Sequence, residues 1–217
     1  MIAEIMRSRR SVRRFKSERP SRECIEELIA MAVTAPSASN KQPWRFFVTD
    51  ERETIDQMAS AVEAAVERIV KHVDEGFMKA FRAYGDYFVR FREAPVVIVP
   101  VFREIVVLSN LVDAALAAED LARIRLMEFN SGLASTSLAI ENLLLYAHSI
   151  GLGASCMTGP LIAVDQLSII LKIPKGWQIA ALIPVGYPDE TPPAVERKPA
   201  AVVLRWVNSK KRDDNNG

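Results

Sequence analysis

Arg9-Arg10-Ser11-Val12-Arg13 and, further on, Ala35-Pro36-Ser37-Ala38-Ser39-Asn40-Lys41-Gln42-Pro43-Trp44 decide how this chain is read. The first run brings together planar, permanently charged guanidinium forks that suit phosphate and electron-rich carbonyl edges, and Ser11 adds one more donor. A solvated basic face is the commoner outcome of such a charge pattern taken alone. In the second run Pro36 and Pro43 restrict the backbone, and the residue before each is pushed towards extended geometry, which predicts an ordered loop. Ser37, Ala38 and Ser39 keep the loop surface low enough for main-chain groups to approach a flat ring. Asn40 and Gln42 offer donors and acceptors to the edge of a heterocycle. Composition alone reads the same stretch as a plain turn between a helix and a strand.

Working outward, a short helix precedes Arg9, and a second follows Ser21 with Ile25, Leu28, Ile29 and Ala32 on one face until Pro36 stops it. Arg45 to Thr49 reads as a strand. Asp50 and Glu53 form a capping pair for a helix carrying Ile55, Met58, Ala59, Val62, Val66 and Ile69. A further helix with Phe77, Phe81, Tyr84 and Phe88 leads to the strand Val96 to Phe102, its aromatic stripe expected in the core. Ser109 to Met127 reads as a helix of no evident role, followed by another from about Gly132 to Ile150, which Gly151 and Gly153 let the chain leave sharply. Asp165 begins a helix with Leu167, Ile170 and Leu171 inward, Ile179 to Val185 reads as a buried strand, and Ala201 to Trp206 as a last strand. Helices and strands without regular alternation favour α+β over a doubly wound parallel sheet.

The chain has 217 residues, 49% hydrophobic and 25% charged, enough for one sizeable core and unlike a disordered protein. We expect one domain over residues 1–208 and a polar tail at 209–217. A formal net charge of +1 gives no electrostatic case for nucleic acid or an anionic membrane. Cys24 and Cys156, far apart, do not read as a disulfide framework, and with no secretory signal at the start a cytoplasmic location is expected. The apolar stretch Leu133 to Cys156 is interrupted by Glu141, Asn142 and His148, so it reads as a buried helix and not a membrane span. His72, His148 and the two cysteines show no metal-ligand spacing and no nucleophile–base pair; Cys156 is expected as a small core residue.

Taken in order, the two N-terminal runs, Ala94-Pro95-Val96-Val97-Ile98, Asn142-Leu143-Leu144-Leu145 leading to Gly151-Leu152-Gly153, Pro184-Val185-Gly186-Tyr187-Pro188 and Arg197-Lys198-Pro199 resemble the flavin-dependent nitroreductase family over most of the chain. The resemblance implies a central, mainly antiparallel sheet flanked by helices, an intertwined homodimer, and FMN as cofactor. It implies cofactor contacts from Arg9, Arg10, Ser11, Arg13, Pro36, Ser37, Ala38, Ser39, Asn40, Gln42, Thr158, Gly159 and Arg197, with the Pro36–Gln42 loop reaching the FMN held mainly by the other subunit. Met157-Thr158-Gly159 matches a loop whose amides approach the reactive edge of the flavin, and Arg197 matches a late phosphate-binding arginine. Some relatives place an Asn and a Lys shortly before the strand at Val96; here Asp86, Tyr87, Phe88, Val89 and Arg90 stand in that stretch.

The activity so implied is a ping-pong cycle. Hydride comes from NADH or NADPH and passes through the flavin to a small-molecule acceptor such as a nitroaromatic, quinone or activated alkene. Arg13 would stabilise charge near flavin N1 and O2, and the Thr158 and Gly159 amides would serve the N5 and O4 edge. No side chain is assigned as an obligatory catalytic nucleophile. With no glycine-rich dinucleotide fingerprint after a strand, the nicotinamide is a visiting substrate. The alternatives are another reaction on the same fold, such as dehalogenation, dehydrogenation or flavin breakdown, or a non-catalytic flavin-binding sensor or storage protein.

Overall fold

Val96–Phe102 (β2) carries no charged residue and is buried from end to end, the pattern of a strand covered on both faces. The computed structural model describes residues 2–207, and the expected tail at 209–217 lies outside them. In it β2 is central. Trp44–Thr49 (β1) pairs with it antiparallel, Trp44 opposite Phe102 and Thr49 opposite Val97. Ile183–Gly186 (β5) pairs on its other side, and Gly153–Ala154 (β3) pairs with β5, both antiparallel, giving the order β1-β2-β5-β3. Gln178–Ile179 (β4) pairs with the far end of β2.

The helices are Ile2–Ser8 (α1), Arg22–Ala32 (α2), Arg52–Val70 (α3), Glu75–Phe88 (α4), Ala118–Ser149 (α5), Val164–Ile170 (α6) and Ala200–Val203 (α7). Alternation along β2 divides the core in two. Val96, Ile98 and Phe102 pack with Ile25 and Leu28 of α2 and Ala139, Ile140 and Leu143 of α5. Val97, Val99 and Val101 pack on the opposite face with Ile55, Met58 and Val62 of α3 and Leu167 of α6. Each fully buried Leu, Ile or Met contributes roughly 1.5–3 kcal/mol relative to exposure. Ser21 caps α2, its hydroxyl accepting from the Cys24 amide at 3.2 Å. The result is the expected α+β architecture, a mainly antiparallel sheet between two helical layers.

Pro100 shapes the middle of this sheet. It has no N–H to donate and sits in a strand paired on both sides. On β5 the register ends with Ile98 opposite Ile183, and on β4 it resumes with Val101 opposite Ile179. Val99 and Pro100 are therefore faced by Ala180, Ala181 and Leu182, one residue too many, which is a β-bulge. The Ala180 amide still donates to the Pro100 carbonyl at 2.9 Å. Leu182 turns away and exchanges two 2.9 Å backbone hydrogen bonds with Met157. The expected single strand Ile179 to Val185 is thus broken at the proline, and the break holds the chain just before Thr158.

Other expectations are corrected. The cap of α3 is Glu51, without a side-chain cap bond, so Asp50 and Glu53 make no capping pair. On α4, Phe77 and Tyr84 are exposed while Phe81 and Phe88 are only half-buried, so the stripe is a rim and not core. Residues 111–117 are turns and coil, and the later helix begins at Ala118 and runs unbroken through Gly132. A Cβ on Gly132 would lie 2.3 Å from the Arg103 carbonyl oxygen, so the residue is spent on close approach and not on a break. Ala201 to Trp206 is no strand: Ala200–Val203 makes one helical turn and the chain then runs on with Trp206 exposed.

Candidate functional site

The arginine run is built into the sheet edge. Ser11 bridges to Ala154 in parallel, and the Val12 amide donates to the Ala154 carbonyl at 3.1 Å. On its other side the Lys16 amide donates to Tyr187 and the Asp189 amide to Arg14. The Glu190 carboxylate accepts from the amides of Arg13, at 2.6 Å, and Arg14, at 3.1 Å. Val12 lies so close to β3 that a Cβ on Gly153 would stand 2.6 Å from its Cγ1. Arg9, Arg10, Ser11 and Arg13 are all half-buried. Arg10 turns back onto the end of α1, donating to the carbonyls of Arg7 and Arg9. The Arg9 guanidinium makes none of the side-chain hydrogen bonds found among the described residues.

The Pro36–Gln42 loop is organised differently. Ser39, Asn40 and Gln42 have φ of 51°, 52° and 45°, a left-handed conformation that costs a non-glycine residue roughly 1–2 kcal/mol, least for Asn. The Ser37 hydroxyl accepts from the Gln42 amide at 3.0 Å, and the Ser135 hydroxyl of α5 accepts from the Ala38 amide at 3.2 Å. The Gln42 side-chain amide donates to Asn40 Oδ1 at 3.3 Å. Pro36, Ala38, Ser39, Asn40 and Gln42 are exposed. Strain of this kind, held by surrounding bonds, characterises ligand-binding loops.

The structure does not bring these halves together through any described hydrogen bond. The loop hangs on Ser135, whereas the end of α1 is tied to α5 at His148, whose Nε2 lies 2.8 Å from Ser8 Oγ. The anchors are thirteen positions apart on α5, roughly 20 Å along the axis.

Thr158 and Gly159 come after the Met157–Leu182 bridge that continues the β3 edge, four and five positions past Ala154. The amides of Thr158 and Gly159 donate none of the backbone hydrogen bonds found among the described residues. Thr158 opens on a cavity of about 530 Å³, within the size range of small-molecule sites, whose lining includes Phe129, Leu133 and Glu141 of α5 with Cys156 and Gln178. Cys156 is exposed there and is not a core residue; partial desolvation of its sulfur, then the Glu141 charge, hold the thiol above its ordinary value. Arg197 lies on the exposed segment after β5 and takes no part in the described hydrogen bonds of the run.

Burial, then the charges of Arg9 and Arg10, push His148 below the ordinary histidine value. Three positioning residues escape sequence reasoning. Glu190 and Ser135 are ordinary polar residues until the fold places them. Ser155, fully buried beside β3 with an unpartnered hydroxyl, is an orphaned polar group next to the run.

A model of the Nitroreductase family matches residues 6–187, and the chain belongs to that family. It is 27% identical to the iodotyrosine deiodinase of Thermotoga neapolitana over 95% of this chain and 97% of that one. The chain spans 66% of the Drosophila melanogaster protein of the same name. Its fold resembles a BluB-like flavoprotein from Clostridium difficile, with TM-score 0.84 and 24% identity over 95% of this chain and 99% of that one. It also resembles a nitroreductase with bound FMN from Desulfitobacterium hafniense, with TM-score 0.70 and 20% identity over 95% and 97% of the two chains. Among the described residues no helix is long and apolar enough to cross a membrane.

Proposed function

We propose that the protein is an FMN-dependent oxidoreductase that uses NADH or NADPH to reduce a small acceptor, a nitroaromatic, quinone or activated alkene. The observation that carries this reading is the half-buried arginine run fixed along β3, with the Thr158–Gly159 amides at the far end of the same edge. The residues fit the cofactor: permanent cations for a phosphate, and beside them a buried hydroxyl on Ser155 lacking a partner. When bound, FMN supplies a ring that takes electrons from a nicotinamide and yields them to an acceptor.

Arg9, Arg13 and Ser11 would hold the phosphate and the electron-rich edge, Arg10 would keep the turn closed, and Arg197 would add a late phosphate contact. Thr158 and Gly159 would donate their main-chain hydrogens to the reactive edge, and Arg13 would oppose negative charge on the pyrimidine side. The roughly 20 Å between anchors on α5 supports a homodimer in which Ser37, Asn40 and Gln42 of one protomer complete the site of the other. The Thermotoga neapolitana relative favours a second reading, reductive dehalogenation in the same site.

The test is anaerobic stopped-flow on the purified protein. Release of FMN on denaturation, rapid bleaching by a nicotinamide, and reoxidation by nitroaromatics or quinones are expected. Slow bleaching by both nicotinamides, with dithionite-reduced protein discharged by a halogenated phenol, would transfer the assignment to dehalogenation. A protein that binds no FMN sinks both.

A further inference from the structure

A second cavity, of about 570 Å³, is lined by Lys41, Arg103, Glu104, Ile105, Val106 and Gln178 among others. Gln178 is shared with the cavity at Thr158, so the two adjoin. None of the other five belongs to the residues assigned to FMN. Its walls carry two cations against the single carboxylate of Glu104.

A third cation stands nearby. The Arg45 guanidinium carbon lies 4.4 Å from the centre of the Trp177 ring and that of Arg103 lies 5.5 Å from the same centre. An indole face attracts a guanidinium and leaves its N–H edge available. Among the described residues neither arginine enters an ion pair. Two like charges gathered on one ring repel each other, and an oxyanion between their N–H edges relieves that repulsion.

The backbone beneath this arrangement is fixed. The Arg103 amide donates to the Pro43 carbonyl at 3.0 Å, and Gly132 of α5 closes on the Arg103 carbonyl so tightly that no Cβ fits. The next residues are clamped by Glu128, which is buried: its carbonyl accepts from Ile105 at 3.3 Å, and its Oε1 accepts from the amides of Val107 at 2.7 Å and Ser109 at 3.1 Å. Such support is what holds a binding side chain in place.

We propose that this cavity is an oxyanion-binding site for a small molecule, with Arg103 and Lys41 in its lining and Arg45, held with Arg103 on the Trp177 ring beside it, as a third cation. The ligand chemistry is a phosphoryl or carboxylate group. Lys41 belongs to the Pro36–Gln42 loop and its part rests on that reading, whereas Arg45 and Arg103 lie outside the residues assigned to FMN.

The experiment follows the three indole N–H signals of the protein as purified, with its cofactor saturated, by ¹⁵N–¹H NMR during titration with inorganic pyrophosphate or, separately, benzoate. Trp177→Phe identifies the Trp177 signal. That signal is expected to move and saturate while the Trp44 signal stays still. Arg45→Gln with Arg103→Gln should weaken the apparent affinity at least about ten-fold, with circular dichroism confirming that the variant is folded. Response to pyrophosphate alone identifies a phosphoryl ligand, to benzoate alone a carboxylate, and to both an oxyanion site of either kind. No saturable movement with either anion, or equal affinity in the double variant, overturns the proposal.

Discussion

The arginine run and the Pro36–Gln42 loop are held by opposite means. The run is extended backbone laid along β3 and secured by main-chain pairing and the Glu190 carboxylate, while the Arg10 and Arg13 guanidiniums donate to carbonyls of Arg7, Arg9 and Ser11. The loop has three left-handed residues, a tight turn closed by the Asn40 and Lys41 amides on the Ser37 and Ala38 carbonyls, and hydroxyl bonds from Ser37 and Ser135. One half of the site is therefore rigid by inheritance from the sheet, and the other is a local turn whose described hydrogen bond to α5 is the Ser135 hydroxyl. Losses in the first should appear mainly as lost affinity, and losses in the second as lost loop order.

The largest effect expected is on cofactor affinity. Arg9→Gln with Arg13→Gln should weaken FMN binding about 100-fold, two charge-assisted contacts being removed, whereas Asn40→Ala with Gln42→Ala should cost about ten-fold. Co-expressed as differently tagged subunits, the two variants should recover one intact site per heterodimer. Equal losses measured by equilibrium dialysis would erase the contrast, and a heterodimer no better than its parents would show that the site is not shared.

Next comes the anchorage itself. Gly153→Val must displace Val12, whose Cγ1 lies 2.6 Å from the new Cβ position, and should cost about 2 kcal/mol, seen as a melting temperature lower by roughly 4–8 °C. In the loop, Asn40→Val should cost about 1–2 kcal/mol because a β-branched residue resists a positive φ. An unchanged melting temperature for Asn40→Val would mean that the loop takes another conformation in solution.

Acid should separate loop from sheet elsewhere in the molecule. Burial works to raise the Glu128 carboxyl, but the Ser109 hydroxyl and the amides of Val107, Ser109 and Leu108 more than offset it and hold the group below its ordinary value of 4.5. A folded value below the unfolded one means stability complete above about pH 4.5 and lost as pH falls through the folded value. Amide exchange at Val107 and Ser109 should therefore accelerate in acid while β2 stays protected. In Glu128→Gln that pH dependence should vanish.

The smallest effect is at the junction of α1 and α5. Burial leads and the arginine charges follow in depressing His148, so Arg9→Gln should return its titration upward only part of the way, as read by NMR. No upward movement would place Arg9 too far away to matter.

Much of the frame was legible because it rests on local chemistry. The all-apolar run at Val96–Phe102, Ser21 before α2 and the proline-bounded loop each carry their own signal. What escaped depends on distant partners. Ala201 to Trp206 has strand-forming residues but gains no neighbour to pair with among the described residues, and Phe77 and Tyr84 stand exposed on α4. The break between β4 and β5 follows from Pro100, some eighty positions earlier in the sequence. In the site, residue type gave the arginines and the loop amides, but Glu190, Ser135 and Ser155 act only where the fold brings them.

Because both halves report to α5, its length acts as a gauge and its turn as a clock. Thirteen positions from Ser135 to His148 leave the two anchors roughly 140° apart around the helix at 3.6 residues per turn. The loop and the run thus depart towards different sides of one rod. A single residue inserted between them would shift one anchor by about 1.5 Å and swing it by about 100°, mistiming the two halves although neither had been altered. In this stretch of α5 only the exposed positions tolerate substitution, since Ala139, Ile140, Leu143, Leu144 and Ala147 are core, and insertions and deletions are tolerated nowhere in it.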